Sequence, residues 1–479
     1  MRSTGRMLFT CLVVLVAIPA LAFGNGLYSP GVGTRAGAMG GAFIGLADDY
    51  SAVYWNPAGI TQIKGMEVTV TGADVASMAS REGYVRFEGL EGELDEGRFA
   101  VGEVGATSSS SIRIAPGFFF YTDPGPLRGV VDKVGIAVYT LTEYGVKWDG
   151  DDVLDRVFSP DFVDAYNYTD VFADNQDYES RIKNYTVSAA VAKEVIPGLS
   201  IGLAGNVNYS HFKVNDVFML EETIVESLPD MNDFWVLALV PLGIEDDVTA
   251  WGYGATFGAL YRINRQASVG LTVRSPMTMS YEGTYSVRGD NVFQGADESG
   301  PILADIYEKH DSKFDLRYPT WAGLGVAVRD AMFDGLTVTA DVHWTDWSTF
   351  EEINRELTLS APGTPMDGEV AYETTPLNWE DTVEVALGFD YRLGRSVSMH
   401  LGYRSSPSPV PDDTYDFVLP STAKNVVGLG ATVRQDFWRA SVAVEYHAGT
   451  ERNISGTDGM NGKHVEDIFV PSLSFTYAF

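Results

Sequence analysis

SLSFTYAF, residues 472–479, alternates large apolar and small polar side chains without a break. Successive side chains of a strand point to opposite faces. Leu473, Phe475, Tyr477 and Phe479 therefore share one face, and Ser472, Ser474, Thr476 and Ala478 share the other. Apolar outward and small polar inward is what a strand needs between lipid and a wet lumen. A soluble sandwich also buries one face of each strand, but would rarely place aromatic residues so often at the ends of that face.

The pattern repeats upstream. Val383, Val385, Leu387, Phe389 and Tyr391 alternate with Glu384, Ala386, Gly388, Asp390 and Arg392. Leu336 to Thr345 and Val397 to Arg404 behave alike, with charges confined to the inner row. Such segments from 66–79 to 465–479 predict fourteen strands, most reaching the roughly 9–11 residues that cross a bilayer at a tilt. Long connections are expected near 80–109, 148–180, 215–247, 284–312, 351–378, 406–422 and 451–464. They alternate with short turns at Pro197-Gly198, Asn264-Arg265, Asp334-Gly335 and Gly394-Arg395. An even count puts both termini on the short-turn side, the periplasm. The expected fold is all-β, a 14-stranded antiparallel transmembrane barrel over residues 65–479.

Composition agrees with a barrel. The net charge is -32, yet 12% of residues are aromatic and 50 are Gly. Mean hydropathy is -0.03, because alternation averages the membrane face away. Beyond the N-terminus no stretch of about 18 apolar residues occurs, which excludes a helical membrane protein. Residues 1–22 read as a secretory signal peptide: Arg2 and Arg6, an apolar stretch, then Ala20-Leu21-Ala22. Cys11, the lone cysteine, lies inside it, so the exported chain would have no thiol chemistry.

Between leader and strands, Arg35 to Gly59 reads RAGAMGGAFIGLADDYSAVYWNPAG. It holds neither period 2 nor period 3.6 and is dense in residues that permit close backbone approach. That predicts a compact, irregular plug over residues 23–64. The run, SAVYWNPAG above all, closely resembles the N-terminal hatch of the FadL family of outer-membrane transporters for long-chain fatty acids and other hydrophobic compounds. DTVEVALG (381–388) and SPSPVP (406–411) resemble family patterns too, whereas the middle loops match weakly.

The resemblance implies a fourteen-stranded barrel plugged by the hatch, with surface capture, hatch rearrangement and lateral exit through the wall. Asn56, Pro57 and Ala58 would form the gate element beside an inward kink in the third strand. Tyr144-Gly145 is the expected kink and Gly135 its rival, since Gly within a strand often marks a bend. Asn56-Pro57 as a simple turn before the first strand is compatible with this. Asp48 and Asp49 suit a helix cap better than a lumen cation. The apolar run Phe234 to Leu242 needs cover or a ligand. Phe234, Trp235, Leu237, Leu239 and Val240 are the candidate hydrophobic groove, or else pack this loop on its neighbour. For a carboxylate head group the inner-row candidates are Arg274, Arg404 and His447, each also able to pair with acidic neighbours such as Glu445 or Asp390.

The six His show no metal-ligand spacing and no G-x-S-x-G turn is present, so neither catalytic residue, metal nor cofactor is expected. The acidic loops, Glu88 to Glu96 and Asp149 to Asp155, argue against nucleic acid and suit the cell surface, with cation bridging to lipopolysaccharide as a further use. The alternatives to fatty-acid uptake are an aromatic-hydrocarbon channel of the same family, a general diffusion porin and an outer-membrane barrel enzyme. Family precedent is a monomer.

Overall fold

The computed structural model of the protein describes residues 32–74, 76–83, 104–107, 114–127, 129–148, 178–226, 234–297, 300–360, 367–415, 421–455 and 462–479. The expected leader, hatch residues 23–31 and most of the acidic loops lie outside these residues. Fourteen antiparallel staves close on themselves. They are β1 (Glu67–Asp74, then Ala76–Gly83), β2 (Val104–Thr107, Ile114–Thr122), β3 (Lys133–Trp148) and β4 (Tyr178–Ile196). Next come β5 (Leu199–Glu226), β6 (Phe234–Arg262), β7 (Ala267–Arg274, Met277–Asp297) and β8 (Gly300–Tyr318, Trp321–Arg329). β9 (Leu336–Thr345, Glu352–Thr358), β10 (Val370–Pro376, Thr382–Leu393) and β11 (Val397–Ser406) follow. β12 (Lys424–Gln435), β13 (Trp438–Gly449, Arg452–Ile454) and β14 (Gly462–Ala478) complete the wall. β14 pairs with β1 from Glu67↔Ala478 to Ala73↔Ser472, so the sheet has no free edge there.

The alternation read from the C-terminus sets which side faces out. Leu473, Phe475, Tyr477 and Phe479 are exposed on the outer face, whereas Ser474 and Thr476 are buried inside. On β9, Thr337, Thr339, Asp341, His343 and Thr345 point inward and are buried, and Val342 and Trp344 point outward. Turn chemistry matches as well. Gly198, Gly335 and Gly394 take positive φ at their turns. Asn264 Oδ1 accepts from the backbone N–H of Gln266 and Ala267, both at 2.8 Å, closing an Asx turn.

Two expectations about connections need correction. Residues 215–247 and 284–312 are largely strand, not loop. β5 and β6 stay in register out to Glu226↔Phe234, and β7 and β8 remain paired, through register shifts after Gly289 and Phe293, out to Asp297↔Gly300. Clusters of Asp and Glu suggest loops, yet at the solvent-facing end of a hairpin they cost little. Conversely, β7 and β8 are interrupted at Ser275-Pro276 and Pro319-Thr320, where proline cannot donate to the ladder.

Inside the barrel the hatch carries α1 (Thr34–Ala38), α2 (Ala52–Trp55) and a 3₁₀ turn, Pro57–Gln62. Helices this short are not stable alone. They hold because Phe43, Ile44, Leu46, Trp55 and Ile60 are buried in one apolar cluster that extends to Phe119 and Tyr139 of the wall. Each such side chain contributes about 1.5–3 kcal/mol on burial.

Candidate functional site

The hatch is held by side chains that reach for its backbone. The Asp341 carboxylate of β9 accepts from the N–H groups of both Phe43 and Ile44, each at 2.7 Å. Ser268 donates to the Gly45 carbonyl and Thr272 to the Trp55 carbonyl, both at 2.7 Å. Tyr121 donates to the Tyr50 carbonyl at 2.6 Å. An irregular plug has few internal backbone partners, so the wall provides them. Arg35 is the ionic pin, 2.6 Å from Asp48 and 2.7 Å from Asp390 of β10. Burial alone would lower its pKa, but Asp48, Asp390 and Asp49 outweigh that and hold it above its ordinary value. Asp49 itself accepts from Ser51 N–H at 2.9 Å and Ser51 Oγ at 2.7 Å, tying down the start of α2.

Asn56 is fully buried and uses both ends of its amide. Its Nδ2 donates to the Ile44 carbonyl at 3.1 Å and to Ala259 of β6 at 3.0 Å, while Oδ1 accepts from Ala58 N–H at 3.1 Å. It therefore caps the 3₁₀ turn and fixes the hatch to the wall at once. Pro57 and Ala58 lie on the inner face of β5 and β6, against Gly202 and Gly258. A Cβ on Gly202 of β5 would overlap the Pro57–Ala58 backbone, and one on Gly402 of β11 would overlap Met39 and Gly40. Gly270 and Gly428 meet the hatch in the same manner, at Ile44 and Gly37. Inward glycines on separate staves thus form a socket that admits backbone against backbone. The sequence shows these glycines only as gaps in the inner rows.

Away from the hatch the inner surface changes character. Phe212, Met279, Tyr281, Phe314 and Tyr318 are buried on the inner rows of β5, β7 and β8. Tyr281 stacks on Phe314 with centroids 5.1 Å apart, and Phe212 meets both edge-on. Arg355 of β9 sits near this stack, 5.3 Å from the Phe314 ring, paired with the buried Asp246. Between stack and hatch lies a cavity of about 20 Å³, room for about one water. Its lining combines Leu141 and Met277 with Asn206, Asn208, Arg274 and Tyr318.

Of the three cationic candidates, Arg274 lines this cavity. Its guanidinium lies over the rings of Tyr54 at 4.4 Å and Trp321 at 5.0 Å and donates to the Tyr54 carbonyl at 3.3 Å. Arg404 and His447 are buried elsewhere in the lumen, in an acidic setting. His447 Nε2 is 3.5 Å from Glu445, and Arg404 lies within electrostatic reach of Glu384. The structure does not bring these three together.

In β3, Tyr144 pairs with Ile182 and Gly145 with Arg181, in regular register. The irregularity is three residues earlier: a bulge at Leu141, between Thr140↔Tyr185 and Thr142↔Asn184. Gly135 has a packing role instead, since a Cβ there would strike the Tyr121 ring. Pairing of β2 with β3 runs from Thr122↔Val134 to Gly117↔Tyr139 and, among the described residues, stops there. Leu141 thus sits where the ladder to β2 ends and where the cavity begins. Phe234, Trp235, Leu237, Leu239 and Val240 form the distal arm of β6, paired with Glu226, Val225, Thr223, Glu221 and Leu220 of β5.

A profile for outer membrane transport proteins (OMPP1/FadL/TodX) matches residues 161–479. The chain belongs to this family. Outer membrane protein P1 of Haemophilus influenzae is 22% identical over 417 residues, 83% of this chain and 80% of that protein. The long-chain fatty acid transport protein of Escherichia coli K12 is 22% identical over 194 residues, 38% of either chain. A putative outer membrane protein of Neisseria meningitidis serogroup B is 26% identical over 165 residues, and the match spans 35% of its length. Among solved structures, a FadL homologue of Pseudomonas aeruginosa superposes with TM-score 0.69 at 17% identity, covering 95% of this chain and 100% of that one. The toluene transporter TodX of Pseudomonas putida gives TM-score 0.68 at 14% identity, over 94% and 99%. The fold is the FadL/TodX barrel, and membership of the family places the chain among outer-membrane transporters of hydrophobic compounds.

Proposed function

We propose that the protein takes up long-chain fatty acids or chemically similar amphiphiles across the outer membrane, as a monomer with both termini in the periplasm. One observation carries the reading: the inner rows bearing Phe212, Tyr281, Phe314 and Tyr318 are aromatic where a diffusion porin needs water. In this reading the distal arm of β5 and β6, with Phe234, Trp235, Leu237, Leu239 and Val240, collects the ligand, and the aromatic stack receives it. The cavity at Leu141 and Arg274 is its next station. With room for about one water, that cavity must expand for a ligand to pass, which requires the hatch around Tyr54 to Ala58 to shift. A sideways exit into lipid would open near Tyr139, where the β2–β3 ladder ends among the described residues. Arg274 gives a carboxylate a partner inside the lumen.

A second reading, uptake of aromatic hydrocarbons, is favoured by the same stack, because Arg274 is already engaged by Tyr54 and Trp321. Uptake of radiolabelled oleate and toluene by cells with and without the protein separates the two. Arg274→Gln is expected to lower oleate uptake several-fold and leave toluene unchanged. Uptake of small sugars with no preference for hydrophobes would overturn both readings.

A further inference from the structure

The short-turn mouth of the barrel carries a second cavity, of about 940 Å³. The hatch forms one side through Asp48, Gln62, Ile63 and Lys64, and the β6–β7 and β12–β13 turns form another through Asn264, Arg265, Asp436 and Phe437. The chain as a whole has 65 acidic residues against 33 basic ones. This lining inverts that ratio: Lys64, Arg262, Arg265, Arg329, Arg434 and Arg439 face only Asp48, Glu67 and Asp436. Asp48 is already held by Arg35 at 2.6 Å, and Glu67 by Arg439. Arg262 pairs outside the lining, with Glu194 at 2.9 Å. Lys64, Arg265 and Arg434 make no ion pair among the described residues, and all three are exposed.

Deeper in the lumen, Arg355 is matched to Asp246 and Lys424 to Glu466. The mouth departs from that pairing. A concave site with an excess of one sign focuses its field toward the opening. Arginine forks suit the planar oxygens of carboxylate and phosphate groups. Ile63 of the hatch lies beside them, the rings of Phe437 and Trp438 at the rim pack on the outer-face Tyr477 and Phe475, and the volume is that of a small-molecule site.

We propose that this mouth is an anion-binding vestibule for a carboxylate- or phosphate-bearing amphiphile, with Arg265 and Arg434 as its principal contacts. The proposal goes beyond the uptake reading and is tested without transport. Calorimetry on the full chain in nonionic detergent uses sodium hexanoate as probe, inorganic phosphate as competitor and 1-hexanol as the uncharged control. Hexanoate is expected to bind, to weaken with salt, and to lose at least tenfold in affinity in R265Q/R434Q, with recovery in R265K/R434K. Competition by phosphate would identify the oxyanion alone as the recognised group. Binding that phosphate does not displace, but that R265Q/R434Q still loses, would identify an anion carrying an apolar tail. Unchanged affinity in R265Q/R434Q, hexanol bound as tightly as hexanoate, or no binding heat would each overturn the proposal. Both arginines are exposed, and heat-modifiable gel mobility verifies that the variant barrels are folded.

Discussion

The same wall encloses two different interiors. Around the hatch the inner rows carry Gly202, Gly270, Gly402 and Gly428, with Ser268, Thr272 and Asp341 between them, and their partners are backbone atoms. Toward the long hairpins the inner rows carry Phe212, Tyr281 and Phe314, and their partners are one another. One region is shaped to a fixed piece of its own chain. The other presents greasy surface with no backbone to satisfy, which suits a guest that comes and goes. Both follow from period 2, and they differ only in what occupies every second position.

The largest expected effect comes from breaking the first region with bulk. Gly402→Val places methyl groups where Met39 and Gly40 now lie, and overpacking against backbone costs about 3 kcal/mol. The barrel should still insert, while protease reaches the hatch and single-channel conductance rises. A hatch as protected as in the parent would mean that glycine at this position is incidental. Removing the latch is next. Asp341→Ala strips two buried N–H groups of their charged acceptor, a loss of about 2–3 kcal/mol. Amide exchange around Phe43 and Ile44 should accelerate by roughly 30- to 140-fold, and an unchanged rate would show that the hatch is held elsewhere.

The second region is broken by polarity. Phe314→Ser removes a buried ring from the stack, and binding of a hydrophobic ligand should weaken about tenfold, with hatch exchange untouched. If hatch protection fell as well, the two interiors would not be separable. The smallest effect sharpens the contrast on a single stave. Gly205 lies three positions beyond Gly202 on the outer face of β5 and has open space where a Cβ would go. Gly205→Ala should change thermal stability by no more than about 0.5 kcal/mol.

Strand alternation and the composition of the hatch were readable from the sequence, because each is a local pattern. Leu473 to Phe479 reveals its lipid face without reference to any other residue. The socket was not readable, since nothing near Gly402 in the chain says that Gly40 stands opposite. The irregularity in β3 was hidden for a related reason. Glycine suggested Gly135 or Gly145, whereas the bulge at Leu141 arises from how β3 must meet β4, which only the pairing displays. Asn56 was visible as part of a motif, but its bond to Ala259, 203 positions away, was not. Arg265 and Arg434 are likewise scattered singletons until two turns bring them to one mouth.

The glycine socket also limits how the plug can move. A body seated with its backbone against β5, β7, β11 and β12 at once is keyed like a tooth in a gear. It can neither rotate about the barrel axis nor slide along it as a piston without colliding with the wall. Opening by fraying remains, one contact after another, beginning where the grip on the wall is weakest.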